Sequence, residues 1–450
     1  MSGSKSEQPD GRGRPRVVVV GGGFGGLAVV RRLGNSDCDV VLLDRKNHHL
    51  FQPLLYQVAT AALSPADIAE PIRAIVRKYK NVKVLLAEVS SVELETRRVC
   101  VGPDKIGFDW LVLAAGATHA YFGHDEWSQR APGLKTVDDA LEIRRRILMA
   151  FEEAELEEDD AARRGKLTFV VVGGGPTGVE MAGALREIAA MTIPADFRNV
   201  DTSTTRVVLF EGGPRLLASM SEEASERALD QLEALGVEVR LNTLVTDIDE
   251  TRVWIDDQAV RAENVIWAAG VQGSSVAASL GVDLDGQGRV PVEPDCSLPG
   301  DRRVFVVGDL AAQLDARTRQ PVPGVAQGAI QMGAFVGEII RAELRAGDDH
   351  PPRPAFRYRD KGEMAAIGRA RAVADIKGLT FGGAFAWLLW SLVHITFLVG
   401  FENKLLVMVQ WAWQWIIQSR GARLITGSAT RRELDPVDPR AAAPRRTPSD

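Results

Sequence analysis

Two glycine-rich segments dominate the chain: Gly-Gly-Gly-Phe-Gly-Gly at residues 21–26, the first fingerprint, and Gly-Gly-Gly-Pro-Thr-Gly at residues 173–178, the second fingerprint. A valine-rich strand pattern precedes each fingerprint and a helical pattern follows, as in dinucleotide-binding βαβ units. One glycine permits the turn, a second lets the backbone approach a pyrophosphate, and a third lets the helix pack on the strand. The chain is therefore predicted to have an α/β fold with two doubly wound, Rossmann-type domains, rather than glycines that only end strands.

An acidic residue follows each fingerprint at the end of the next predicted strand, Asp44 in the first unit and Glu211 in the second. A carboxylate at this place accepts hydrogen bonds from a ribose diol. Glu211 would repel a 2′-phosphate, which favours NAD over NADP, and Arg215 four residues later weakens that preference slightly. Both units are therefore predicted to bind nucleotides.

Composition excludes several other classes of protein. The 450 residues, 45% of them hydrophobic, can bury two or three domain cores. The net charge is −6 and there is no basic stripe with interleaved aromatics, so no nucleic-acid partner is expected. The three cysteines, Cys38, Cys100 and Cys296, are far apart, which excludes a disulfide framework and a thiol relay beside a flavin and argues against a metal site.

Small residues end three further predicted strands. Ala115-Gly116 and Ala269-Gly270 form matching strand ends, one in each unit, where a cofactor can lie close to the backbone. Gly308-Asp309 follows another valine-rich strand, and Asp309 would meet the ribityl or phosphate hydroxyls of a flavin. A surface turn is the alternative for Gly308-Asp309.

The C-terminal region is apolar. Leu379–Gly400 contains no Asp, Glu, Lys or Arg, and a second, tryptophan-rich apolar stretch covers residues 405–417. The first stretch is long enough to span a bilayer, but Gly382-Gly383, His394 and the shortness of the second stretch argue against a span. Tryptophan flanked by arginine is typical of a helix in the headgroup plane. A membrane span and a buried core or dimer helix remain alternatives.

From Arg16 to Gln418 the chain resembles the type II, non-proton-pumping NADH:quinone oxidoreductases, specifically their actinobacterial branch. The likeness rests on the fingerprints, on His-His-Leu-Phe-Gln-Pro-Leu-Leu-Tyr-Gln-Val-Ala-Thr at residues 48–60, on Val-Ala-Gln-Gly-Ala-Ile-Gln-Met-Gly at 325–333, and on Lys-Gly-Glu-Met-Ala-Ala-Ile-Gly at 361–368. It implies the pyridine-nucleotide-disulfide-reductase-like architecture, non-covalent FAD, NADH as electron donor and a membrane quinone, menaquinone or ubiquinone, as acceptor. It also implies a homodimer attached peripherally to the cytoplasmic face of the cell membrane.

The resemblance also assigns roles to particular residues. Gln327 and Gln331 would face the quinone beside the flavin, and Glu180 would lie near the nicotinamide and flavin rings. From spacing alone, the two glutamines share one helix face, for which solvent exposure is the alternative, and Glu180 is a charge in the first helical turn. The predicted catalytic residues are Glu180, Gln327 and Gln331; the FAD-binding residues are Gly21, Gly23, Phe24, Gly25, Gly26, Asp44, Gln57, Ala115, Gly116, Gly308, Asp309, Ala326 and Gln327; the NADH-binding residues are Gly173, Gly175, Pro176, Thr177, Gly178, Glu180, Glu211, Ala269 and Gly270; and the quinone-binding residues are Gln327, Gln331, Met332 and Lys361.

The motifs divide the chain into predicted regions. These are a disordered leader (1–15), the first part of an FAD-binding domain (16–165), an NADH-binding domain (166–270), the return of the FAD-binding domain with the quinone-site segment (271–378), C-terminal membrane-attachment helices (379–425) and a disordered tail (426–450).

The predicted reaction passes a hydride from NADH to the flavin and two electrons on to a quinone, without proton pumping. Three alternatives remain: a sulfide:quinone oxidoreductase, disfavoured by the lack of a cysteine pair; a ferredoxin or disulfide reductase, which has no use for an apolar tail; and a redox-sensing flavoprotein.

Overall fold

The computed structural model describes residues 13–194, 196–346, 352–398, 404–411 and 422–425. The predicted tail (426–450) and all but the end of the predicted leader lie outside the described residues. The strands that carry the site are β1 Arg16–Val20, β2 Asp39–Asp44, β3 Val82–Leu86, β4 Trp110–Leu113, β5 Thr168–Val172, β6 Arg206–Phe210, β7 Val237–Arg240, β8 Asn264–Trp267, β9 Asp301–Val306, β10 Glu363–Gly368, β11 Arg371–Ile376 and β12 Leu379–Gly382. The long helices are α1 Phe24–Leu33, α2 Val137–Leu156, α3 Pro176–Glu187, α4 Glu222–Leu235, α5 Ala326–Ala346 and α6 Gly383–Phe397.

Shorter elements connect these. The short strands are His48–Leu50, Ala69–Pro71, Ser91–Glu93, Arg98–Val101, Asp104–Gly107, Ala117–His119, Asp247–Ile248, Arg252–Ile255, Gln258–Arg261, Val271–Gly273, Val290–Pro291, Ser297–Leu298 and Ala311–Ala312. The short α-helices are Leu55–Ala59, Pro65–Ile68, Ile72–Val76 and Asp160–Lys166, and residues 404–411 are also helical.

The first large sheet has the order Ser297–Leu298, β9, β4, β1, β2, β3. β1 lies between β2 and β4 and is parallel to both, with Val17 opposite Val40 on one side and Trp110 on the other. Strands buried on both faces need apolar residues at every position, which explains the unbroken valine run. Because the strand order reverses beside β1, its carboxyl end opens into a crevice that begins at the first fingerprint.

The second large sheet repeats this arrangement in the order β7, β6, β5, β8. Val170 of β5 pairs with Val208 of β6 and with Val265 of β8, again in parallel. The second fingerprint therefore follows the central strand of its own sheet. The prediction of two doubly wound domains is confirmed.

The chain passes between the domains twice, through a two-stranded antiparallel ribbon. Ala117–His119 pairs with Val271–Gly273, and Ala117 lies opposite Gly273. Part of the chain before residue 166 also packs on the second sheet, because Tyr121 and Trp127 contact Trp267 of β8 at ring-centroid distances of 5.2 and 5.7 Å. Their apolar rings find cover on the second sheet rather than on the first.

Helix α5 packs directly on α1 through glycines. A Cβ on Gly333 would overlap the carbonyl oxygen of Gly25, and one on Gly337 would lie 2.6 Å from Cβ of Arg32. This close contact places the start of α5, with Gln327 and Gln331, beside the first fingerprint.

The C-terminal region begins as an antiparallel sheet of β10, β11 and β12, packed against α3 and α4. Residues 379–382 are therefore a strand, not the start of a helix, because Leu379 pairs with Ile376 and Gly382 with Val373. Helix α6 begins only at Gly383, where φ is +67°. Among the described residues, no helix is both long and apolar enough to cross a bilayer.

Candidate functional site

The first fingerprint forms the expected close turn. The Gly22 N–H donates to Oδ2 of Asp44 at 2.5 Å, and the Lys46 N–H donates to Oδ1 at 2.7 Å. A Cβ on Gly26 would overlap the carbonyl oxygen of Gly21, whereas the Cα of Gly23 faces open space. α1 has no side-chain cap, so its first N–H groups remain available to an anion.

The second fingerprint has the same geometry. The Gly174 N–H donates to Oε2 of Glu211 at 2.5 Å, and the Gly213 N–H donates to Oε1 at 2.6 Å. A Cβ on Gly178 would overlap the Gly173 carbonyl oxygen, and Gly175 is open. α3 begins with Pro176 and Thr177 and also has no side-chain cap. The residues present at both turns thus fit a dinucleotide pyrophosphate.

Gly116 and Gly308-Asp309, which are also predicted to bind FAD, follow the carboxyl ends of β4 and β9, whereas Gln57 lies on the helix Leu55–Ala59. Gly116, at the end of β4, has a φ of +68°, and its carbonyl accepts from the Ser274 N–H at 3.1 Å. Gly308 has a φ of +72°, and Asp309 Oδ2 lies 3.7 Å from Nζ of Lys135. Lys135 was not predicted from the sequence, since no motif marks it.

His49, in the 48–60 motif, packs against the first fingerprint. It is 3% exposed, and its Nδ1 lies 3.1 Å from the carbonyl oxygen of Gly22. Because a carbonyl only accepts, Nδ1 carries the proton. Burial lowers the pKa of His49 to about 4, so the ring is neutral at pH 7. The Phe24 ring meets it edge-on at 5.0 Å.

Gln327 and Gln331 face the same segment, as their spacing predicted. The Gln327 Nε2 donates to the Gly362 carbonyl at 2.9 Å, and its Oε1 is buried without a hydrogen-bond partner in the described chain. The Gln331 amide is engaged at both ends, since Nε2 donates to the Arg359 carbonyl at 3.0 Å and Oε1 accepts from the Arg359 N–H at 2.9 Å. Gln327 therefore keeps polar capacity for a ligand, and Gln331 holds the segment in place.

Glu180 is buried between α3 and β10. Its Oε1 accepts from the Ala366 N–H at 3.3 Å, and the Trp390 side chain lies beside the carboxyl group. Burial raises the pKa of Glu180 to about 8, and these two neighbours offset only part of that effect. The carboxyl group is therefore mainly protonated at pH 7.

A cavity of about 120 Å³ borders Glu180. Its lining residues are Tyr56, Gln57, Thr60, Ala62, Glu180, Ala184, Glu187, Met191, Thr192, Ala366, Ile367, Gly368, Arg369, Trp387, Trp390 and Trp411. The Gln57 Nε2 donates to the Tyr56 hydroxyl at 3.1 Å, and its Oε1 accepts from Trp411 Nε1 at 2.8 Å. Three tryptophan side chains and the mainly protonated Glu180 thus line the same cavity.

None of the four predicted quinone contacts, Gln327, Gln331, Met332 and Lys361, is among the residues that line this cavity. Met332 is 2% exposed within the core of the FAD-binding domain, where it packs against other apolar side chains. The Lys361 ammonium lies 5.5 Å from the ring centroid of Phe397, on the last turn of α6. Within the described ranges, no group of His, Cys, Asp or Glu is arranged to hold a metal ion, and all three cysteines are free.

Two family models match most of this chain. Residues 15–333 match the family model of pyridine nucleotide-disulphide oxidoreductases, and residues 361–420 match that of the NDH2 C-terminal domain. The type II NADH:quinone oxidoreductase Ndh of Mycobacterium tuberculosis is 44% identical over 92% of this chain and 90% of its own length. NdhA of the same organism is 42% identical over 95% and 92%, respectively.

Solved structures share the fold at lower identity. NDH2 from Plasmodium falciparum in complex with NADH superposes with a TM-score of 0.82 at 19% identity, covering 92% of this chain and all 100% of that one. A sulfide:quinone oxidoreductase from Aquifex aeolicus reaches a TM-score of 0.69 at 20% identity, covering 87% and 92%. The chain thus belongs to the pyridine nucleotide-disulphide oxidoreductases and, within them, to the type II NADH:quinone oxidoreductases.

Proposed function

We propose that this chain oxidises NADH through FAD and reduces a membrane quinone, with menaquinone as the preferred acceptor. The supporting observation is that one segment, residues 359–368, contacts three of the predicted site residues. Gln331 bonds Arg359, Gln327 bonds Gly362 and Glu180 accepts from Ala366. Gly362 and Ala366 are four positions apart, and four residues of extended chain span at most about 14 Å. The two backbone groups that Gln327 and Glu180 contact therefore lie within the length of one ligand.

The two nucleotides take the two fingerprints. The first fingerprint and Asp44 would hold FAD, with Asp309 at the far edge of the same sheet. The second fingerprint and Glu211 would hold NADH, and the Glu211 carboxylate would disfavour a 2′-phosphate. Bound FAD supplies the group that takes a hydride from NADH and delivers two electrons to the quinone.

The cavity beside Glu180 is the proposed quinone site. Its indoles, Trp387, Trp390 and Trp411, offer flat apolar surfaces that suit a fused two-ring head group, which is why we favour menaquinone. Gln327 does not line the cavity, but its bond to the Gly362 carbonyl would hold the segment that carries the cavity residue Ala366. Glu180, which is mainly protonated at pH 7, would hold a proton at the cavity wall for a quinone that takes up two protons.

Membrane attachment is proposed to use an apolar face formed by α6 and residues 404–411. Ala386 and Trp390 of α6 are buried on the protein side. The opposite side exposes large apolar residues: Phe385, Leu388, Leu392, Phe397, Leu405, Leu406, Met408 and Val409. A helix with one packed face and one apolar exposed face suits peripheral binding to a lipid surface.

This attachment is tested by vesicle flotation. Leu388→Ser with Leu392→Ser should reduce binding to lipid vesicles, whereas Leu86→Ser, at an exposed site on the FAD-binding domain, should not. Equal flotation of both variants would refute the apolar face. NADH oxidation by inside-out membrane vesicles, but not by right-side-out vesicles, would support attachment to the cytoplasmic face. Light scattering of the protein in detergent would test whether it is a homodimer.

The reaction is tested by anaerobic stopped-flow absorbance on the FAD-loaded protein. NADH should bleach the flavin rapidly, and a menaquinone analogue should restore its colour faster than a ubiquinone analogue. Gln327→Leu should slow the quinone step and leave bleaching unchanged, whereas the exposed Gln320→Leu should change neither. Rapid bleaching without recovery by either quinone would overturn the proposal in favour of a redox sensor.

A further inference from the structure

Two large apolar side chains beside the second large sheet are exposed to solvent. Phe122 and Leu244 are each 71% exposed. Each covers a glycine at the carboxyl end of a parallel strand, Phe122 over Gly270 after β8 and Leu244 over Gly212 after β6. Ligands of doubly wound sheets bind outside these strand ends.

Phe122 is held in an unfavourable backbone conformation. Its φ is +53°, in the left-handed region that a bulky residue rarely occupies. Next to it, the Tyr121 hydroxyl donates to the Ala131 carbonyl at 2.9 Å, and the Trp267 and Phe122 ring centroids are 6.3 Å apart. A Cβ on Gly270 would overlap that ring. A strained backbone at a position that exposes an aromatic ring favours a binding role for that ring.

Leu244 is positioned by the turn that carries the ribose-binding acid. The Thr243 N–H donates to the Glu211 carbonyl at 2.9 Å, and the Asn242 N–H donates to the Gly213 carbonyl at 2.9 Å. A Cβ on Gly212 would lie 2.6 Å from Cδ2 of Leu244. The exposed isobutyl group therefore lies over Gly212, the residue after the acid proposed to bind the adenosine ribose.

We infer that Phe122 and Leu244 are apolar contacts for the two halves of NADH, Phe122 for the nicotinamide riboside and Leu244 for the adenosine. The inference rests on the proposed placement of NADH along the second fingerprint and Glu211. Both bases are flat rings with apolar faces, and an exposed side chain beside each one removes apolar surface from water when the nucleotide binds. Phe122 also follows the interdomain ribbon, on the path from the second fingerprint to the FAD-binding domain.

The test is isothermal titration of the FAD-loaded, full-length protein with NAD⁺ and, separately, with AMP, which carries only the adenosine half. Phe122→Ala should raise the Kd for NAD⁺ about three- to tenfold and leave that for AMP unchanged. Leu244→Ala should raise both. Leu156→Ala, at an 82% exposed site at the end of α2, is the matched control and should change neither.

A further variant separates the ring from the backbone strain. Phe122→Gly accommodates the positive φ, so it should bind NAD⁺ as weakly as Phe122→Ala while its Tm is no lower than that of the parent. Unchanged NAD⁺ affinity in both Phe122→Ala and Leu244→Ala, with full FAD absorbance, would overturn the inference and leave the proposed function standing. A parent protein that binds no NAD⁺ would instead refute the proposed function itself.

Discussion

Replacing Glu180 by glutamine tests whether this buried carboxyl group is protonated. The pKa of Glu180 is raised by burial from 4.5 to about 8, so between these values the folded protein carries a proton that the unfolded chain releases. Folding stability must then fall as pH rises through this window, by about 1.4 kcal/mol per pH unit. Between pH 5.5 and 7.5 the loss is about 3 kcal/mol. The amide of the Glu180→Gln variant carries no titrating proton, so the variant escapes this loss.

The assay is Tm against pH for the parent and Glu180→Gln. With an unfolding entropy of roughly 2 cal/mol/K per residue, 450 residues convert 3 kcal/mol into about 3 °C. The variant should therefore gain about 3 °C over the parent as pH rises from 5.5 to 7.5. Glu226→Gln, at an exposed position on α4, should follow the parent at every pH. Parallel curves for the parent and Glu180→Gln would show that Glu180 is ionised in the fold and refute the argument.

Three further predictions follow from single contacts. Gly26→Ala should prevent FAD retention, because the added Cβ would overlap the first fingerprint. Gly178→Ala, where the Cβ would overlap the second fingerprint, should keep FAD absorbance and abolish flavin bleaching by NADH. Absorbance spectra of the two purified variants, with and without NADH, test both expectations. Trp411→Phe removes the donor to Gln57 and should raise the quinone KM about fivefold without changing NADH bleaching, and an unchanged KM would contradict this. The Arg353 guanidinium pairs with the buried Glu343 and with Asp295. Arg353→Met removes this buried cation and should cost about 3–5 kcal/mol of stability, measured by urea unfolding. A loss below about 1 kcal/mol, roughly that of a surface pair, would contradict a buried ion pair.

Local sequence determined both nucleotide-binding units. Neighbouring residues determine where a turn needs a glycine, where a strand ends in a carboxylate and which two amides share a helix face. The reason is that turn, strand and helix geometry are short-range properties. Asp44 and Glu211 accordingly accept the Gly22 and Gly174 N–H groups in matching ways.

Tertiary packing decided the rest. The Gln57–Trp411 bond joins residues 354 positions apart, and Glu180 is buried by β10 and α6 rather than by its own helix. Phe122 is exposed although the adjacent Tyr121 is buried against Trp267. The protonation state and the exposure of a side chain depend on which distant elements exclude water from it. A local sequence pattern does not show which elements those are.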